Sequence, residues 1–179
     1  MTIPMHEGSK GRHNRQKEQA ILFTIGGNLF AIAADAVHEI RSADSLAGSA
    51  VEITQDAVRK VKHIVHRGNR AYYVVSGCAH FGLRQTRPRL VLILRDSRAA
   101  VLVDKIERME DIQPPLPLPL AFHGAEREWY RGLTYVEVQA IPVVNPAGFL
   151  SAEELRELDS VSRTALESAS HEMQGATRS

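Results

Sequence analysis

The feature that most constrains this chain is a succession of short apolar runs, each closed by turn-forming residues. Ile21-Leu22-Phe23-Thr24-Ile25 leads into Gly26-Gly27-Asn28 and then Leu29-Phe30-Ala31-Ile32. Two apolar runs joined by residues that accept a positive φ are a hairpin signal. Arg70 to Val75 is rich in Tyr and Val, and Leu90–Leu94 and Ala99–Val103 are two more runs. These last two are joined through Arg95-Asp96-Ser97-Arg98, whose polar centre suits a tight turn. Val136, Val138 and Ala140 alternate with Glu137 and Gln139, the period of a half-buried strand. Many short strands with few helical stretches between them restrict residues 20–150 to a barrel or a sandwich.

Two stretches interrupt that pattern. Thr54, Ala57, Val58, Val61 and Val65 stand at helical spacing, so residues 53–65 read as a short helix or an irregular loop. Residues 114–119 read Pro-Pro-Leu-Pro-Leu-Pro and hold half of the chain's eight prolines. Such a run is extended and cannot occupy a central strand, because proline has no N–H to give the ladder. It reads as a rigid connector between sheets, with a polyproline ligand as the sharper alternative.

The flanks differ in composition. Residues 1–19 carry Lys10, Arg12, Arg15 and Lys17 against Glu7 and Glu18. They offer too little apolar surface to fold alone, so this polar tail reads as disordered, or else as an anion-binding arm. Residues 151–179 hold six acids and three bases. Ser151 with Glu154 makes a capping box, and Leu155, Leu158, Val161, Ala165 and Ala169 mark one helical face. A helix of four or five turns that docks this face and frays after about residue 172 is the expectation.

Composition and motifs exclude several functions. The chain holds one Cys among 179 residues, so neither an intrachain disulfide framework nor a Cys-rich zinc site is possible. A formal charge of +1 argues against nucleic acid as a partner. The longest apolar runs fall far short of a membrane span, and the first twenty residues lack the apolar region of a secretory signal, so a cytosolic location is expected. Walker, Rossmann, Gly-x-Ser-x-Gly and His-Glu-x-x-His patterns are missing. Cys78 with His80 could make a nucleophile and base if both shared a strand face, although a buried Cys commonly acts as a small hydrophobe. His63, His66 and His80 could hold zinc if they converged. Asp35 with Glu39, and Asp104 with Glu107, form no recognisable acid–base pair. No catalytic residue, metal or cofactor is expected, which suits a protein that works by contact.

The order of short motifs resembles the CheW-like family. Phe23 to Ile32 is similar to its opening hairpin, which reads Phe, x, Leu, x, Gly, polar, x, aromatic, Ala, Ile. Val37-His38-Glu39-Ile40 resembles the Val-x-Glu-Ile that follows. Arg67-Gly68 resembles the family's Arg-Gly turn, Tyr73-Val74-Val75 the next strand, and Phe81-Gly82-Leu83 its continuation. Val101 to Ile106 resembles a Leu-Val-Asp-x-Val element, and Arg131-Gly132, Val136 to Val144 and Phe149-Leu150 resemble the closing strands. The chain departs from the pattern where Tyr73 replaces a proline, and where Ser76, Gly77 and Cys78 replace Asp-Leu-Arg. The span 41–62 lacks proline, and Ala100 stands where Gly is common.

The resemblance implies a mainly β fold: two small, intertwined SH3-like β-barrel subdomains over residues 20–150, followed by a C-terminal α-helix. It implies a non-enzymatic adaptor that couples the cytoplasmic tip of a chemoreceptor to the regulatory domain of a CheA-type histidine kinase. Its setting would be the cytoplasm, at membrane-associated receptor arrays without insertion into the membrane. Partner contacts are implied at Val37, Arg67 and Gly68. Because the departures cluster in the first half, a diverged scaffold of another pathway that has lost one partner is the alternative. A small-ligand or metal-binding β-barrel is a further one.

Overall fold

Strand β1 (Glu18–Ile25) turns through Gly26 and Gly27, at φ 59° and 78°, into β2 (Asn28–Ala33). Ile25 pairs with Asn28 across this two-residue turn, a register that positive φ at both central residues allows. The computed structural model describes residues 17–46, 50–52 and 58–175. Nine further strands follow: β3 (Val37–Ser42), β4 (Ala50–Glu52), β5 (Val61–Arg67), β6 (Arg70–Ser76), β7 (Leu90–Leu94), β8 (Ala99–Val103), β9 (Lys105–Ile112), β10 (Tyr130–Val136) and β11 (Gln139–Val144). A single helical turn, α1 (Gly77–His80), follows β6, and the chain ends in α2 (Ala152–Gly175).

The strands form two sheets, ordered β10-β11-β2-β1-β9 and β3-β7-β8-β6-β5-β4. The chain therefore starts in the first sheet, builds the second, and returns to complete the first. Most pairs are antiparallel, while β11–β2 and β6–β8 are parallel. The outer strands of the first sheet are tied by the proline-rich segment. Leu116 N donates to Leu133 O at 2.7 Å, and Leu133 N donates back to Leu116 O at 2.9 Å. The segment is extended, as proline dictates, but it joins two edges of one sheet rather than linking two sheets.

Alternate residues of the central strands enter different cores. In β1, Phe23 and Ile25 face a shared core while Ala20 and Leu22 face a small core of the first sheet with Ile112, Ile141 and Val143. In β6, Tyr73 and Val75 face the shared core while Tyr72 and Val74 face a small core of the second sheet with Val91 and Ile93. Burial on both faces explains why these strands read as continuous apolar runs and not as alternating ones. The arrangement is the mainly β fold with a C-terminal helix that the resemblance implies, its two sheets answering to the two SH3-like subdomains expected.

Three local expectations are corrected. Residues 53–57 lie outside the described residues, but Val61–Val65 belongs to strand β5 rather than to a helix. Its register slips between Val61 and His63, a bulge that puts Val61 and Ile64 in one core and so imitates helical spacing. The alternation over 136–140 is not one strand, because Glu137 and Val138 form the turn between β10 and β11. Val138 is accordingly 96% exposed. Finally, α2 has 24 residues, longer than four or five turns. Its capping box is present: Ser151 N donates to Glu154 Oε2 at 2.8 Å and Glu154 N to Ser151 Oγ at 3.1 Å.

Candidate partner-binding surface

The topology gathers Val37, Arg67 and Gly68 at one end of the second sheet. Val37 opens β3 opposite Leu94, the last residue of β7. Arg67 ends β5 and pairs with Arg70 across the tight turn at Gly68. Gly68 sits at φ 56°, a conformation that costs a residue with a Cβ about 1–2 kcal/mol. The connection from β7 to β8 lies at the same end, since Arg70 Nη2 donates to Ser97 O at 3.5 Å.

Arg67 is not idle. Its Nη1 donates to Glu39 Oε2, and Arg41 holds the same carboxylate through Nε at 2.6 Å and Nη2 at 3.2 Å. Glu39 lies on β3 at one edge of the sheet and Arg67 on β5 near the other, so the pair helps the sheet curl on itself. The hydrogen bond from Arg41, then the charges of Arg41 and Arg67, hold the Glu39 carboxyl below its usual range despite some desolvation. The Arg67 and Glu39 side chains remain 39% and 30% exposed. A pair this open contributes about 0–1 kcal/mol, so Arg67 can be redirected to a partner at little cost to the fold. Val37 differs: it is buried in the shared core and positions the exposed His38 and Ile40 beside it.

The same end carries the dock for α2. Arg98 Nη1 lies 2.7 and 2.8 Å from the two Asp159 carboxylate oxygens, and Arg98 Nη2 donates to Tyr73 Oη at 3.2 Å. Tyr73 Oη itself donates to Asp159 Oδ1. Burial, and next the hydrogen bond to Asp159, push the Tyr73 hydroxyl up to about 12. Further along, Lys60 Nζ pairs with Glu154 at 2.8 Å, and Leu158 enters the shared core. The helix is visible in the sequence but these contacts are not, because no local motif links Lys60 to Glu154 or Tyr73 and Arg98 to Asp159.

The histidines do not converge. His63 and His66 lie on β5, with His66 exposed, whereas His80 ends α1 inside an aromatic cluster. Its ring centroid lies 4.6 Å from that of Trp129, 4.7 Å from Phe81 and 5.0 Å from Phe149. Its Nδ1 faces Lys60 Nζ at 3.4 Å, and its buried Nε2 has no partner among the described residues. Burial, and secondarily the Lys60 charge, lower the imidazole to about 3, so the ring is neutral. Cys78 is buried on α1 rather than on a strand, with Sγ 3.4 Å from Thr86 Oγ1. It faces a hydroxyl and not a base. Among the described residues, no group of three His, Cys, Asp or Glu side chains is placed to hold a metal ion.

Exposed apolar side chains form a second feature, on the first sheet. Leu116 and Tyr135 line a groove of about 300 Å³ with Gln113, Pro114, Leu133 and Thr134. Leu116 is 45% and Tyr135 58% exposed. Apolar groups left open in this way suit contact with another protein.

Comparison with known proteins agrees with this architecture. A family profile described as CheW-like domain matches residues 19–154. Among solved structures, the crystal structure of the scaffolding protein TtCheW from Thermoanaerobacter tengcongensis is similar, with a TM-score of 0.61 and 15% sequence identity. The likeness covers 77% of this chain and 95% of that one, and at such identity it is a likeness of fold. A search of curated proteins finds no match.

Proposed function

Because the chain belongs to the CheW-like domain family, we propose that it is a non-enzymatic adaptor coupling chemoreceptors to a CheA-type histidine kinase in a bacterial chemosensory pathway. The observation that carries this reading is the family match over residues 19–154, which takes in the eleven strands of the described residues. On this reading the CheW-like unit spans residues 20–150, and the segments before and after it are additions. The partners are the kinase's regulatory domain and the receptor's cytoplasmic tip. The working place is the cytoplasmic side of membrane-associated receptor arrays. None of the described helices is long and apolar enough to cross a membrane.

Arg67 and the Gly68 turn form the polar part of the receptor contact, with Val37 fixing the adjoining strand from beneath. Arg67 offers a planar fork for bidentate hydrogen bonds, and only a half-open ion pair restrains it. The test is titration calorimetry of the folded protein against the kinase regulatory domain and, separately, against a receptor tip fragment. Binding to both is expected. Arg67→Ala should weaken the receptor contact by about 1–2 kcal/mol, roughly five- to thirty-fold, with an unchanged melting temperature. No heat with either partner would remove the proposal. A large fall in melting temperature would instead make Arg67 a structural residue.

A further inference from the structure

The formal charge of +1 conceals a strong segregation. Residues 57–95 contain nine Lys and Arg and no Asp or Glu, while the remainder of the chain holds thirteen bases against twenty-one acids. The fold concentrates part of this excess at the end of the second sheet opposite Arg67. The loop from α1 to β7 carries Arg84, Arg87 and Arg89, all exposed. Arg59 and Lys62, also exposed, flank the start of β5, which meets the end of β6 at this end, where Ser76 N donates to Lys60 O at 2.7 Å. None of these five side chains has a carboxylate partner among the described residues. Lys60, by contrast, is neutralised by Glu154.

The loop is held in place rather than loose. Leu83 N donates to Cys78 O at 2.8 Å, Thr86 Oγ1 to Asp104 Oδ1 at 2.5 Å, and Arg89 N to Val103 O at 3.1 Å. The Asp104 carboxylate is thus taken up by Thr86 and by Gly27 N at 3.2 Å, and is not left to neutralise an arginine. A rigid loop that presents unpaired guanidinium groups loses little freedom on binding. We infer that this loop is a docking site for an acidic polypeptide segment of a partner protein, with Arg84, Arg87 and Arg89 as its anchors. From Arg84 to Arg89 the chain can span at most about 17 Å, the length of a short acidic peptide. Arginine forks match carboxylates in pairs, which the lysine ammonium cannot do. A membrane surface fits less well, because polybasic lipid signals sit beside a membrane span or on an amphipathic helix, whereas these arginines lie on a loop pinned between α1 and β7. The acidic remainder of the chain also disfavours lying flat against a long polyanion.

The test is fluorescence anisotropy with a labelled octaglutamate peptide at low and high salt. Two charge-matched variants are compared, Arg84→Glu/Arg87→Glu/Arg89→Glu and Arg108→Glu/Arg127→Glu/Arg156→Glu, with circular dichroism confirming that each is folded. The wild type should bind, with salt weakening the complex. The first variant should lose at least about ten-fold in affinity and the second less than about three-fold. If the first variant fails to fold, the triple change to Gln replaces it with the same expectation. Equal losses in both variants, no binding by the wild type, or tighter binding to phosphatidylserine vesicles or a DNA duplex than to the peptide would each overturn the inference.

Discussion

His80 makes stability depend on pH in a way that can be worked out in advance. Its ring is 4% exposed, packed among Trp129, Phe81 and Phe149, and held neutral by burial, with Lys60 adding to the effect. In the unfolded chain the same imidazole titrates near its ordinary 6.5, whereas in the fold it accepts a proton only near 3. A depressed folded value means that its contribution is fully present above about pH 6.5 and is lost as pH falls toward 3. Between pH 7 and pH 5 the unfolded state gains about 0.7 of a proton that the folded state does not. The loss is about 2 kcal/mol, and while the folded ring stays neutral it depends only on the unfolded value. The assay is urea denaturation of wild type and His80→Leu at the two pH values, since Leu is close in volume and does not titrate. The wild type should lose about 2 kcal/mol more than the variant on going to pH 5. Equal losses would show that His80 is accessible to protons in the fold, and the reasoning would fail.

Other perturbations probe the remaining contacts. Phe23 is fully buried and stacks on Phe30 at 6.0 Å, so Phe23→Ala should cost about 3–5 kcal/mol in chemical denaturation. A Cβ on Gly132 would stand 2.2 Å from Leu116 O, so Gly132→Ala should disrupt the bridge closing the first sheet and cost at least about 2 kcal/mol, whereas Gly68→Ala, in open space, should cost only about 1–2 kcal/mol for its positive φ. Asp159→Asn should loosen α2 and destabilise by about 1 kcal/mol, since the pair is partly solvent-screened, and should lower the Tyr73 titration seen in tyrosinate absorbance. Because Tyr73 is raised in the fold, its contribution is intact below about pH 10 and is lost as pH rises through about 12; Tyr73→Phe should remove that alkaline loss.

Much of the strand pattern was legible because both faces of the central strands are buried. Ile21 to Ile25, Leu90 to Leu94 and Ala99 to Val103 could hardly be anything but core strands, and the paired glycines set the first turn. The failures have physical causes. The turn at Glu137 and Val138 uses a non-glycine residue at φ 56° and carries no Gly, Asn or Pro, so nothing in the composition marks it. The bulge after Val61 shifts the parity of β5 and gives a strand the spacing of a helix. The candidate surface was legible only through its motifs. Arg67, Gly68 and Glu39 each stand in one, but the ion pair joining Arg67 to Glu39 depends on how the sheet curls. The dock of α2 on Tyr73 and Arg98 likewise spans too much sequence for periodicity to reveal.

The role proposed for this chain is to join two signalling proteins. The most direct measurement is co-sedimentation of a CheA-type kinase with membranes carrying its chemoreceptor, with and without this protein. The account predicts that the kinase sediments, and responds to receptor ligand, only when the protein is present. Equal recovery and equal response in its absence would contradict it.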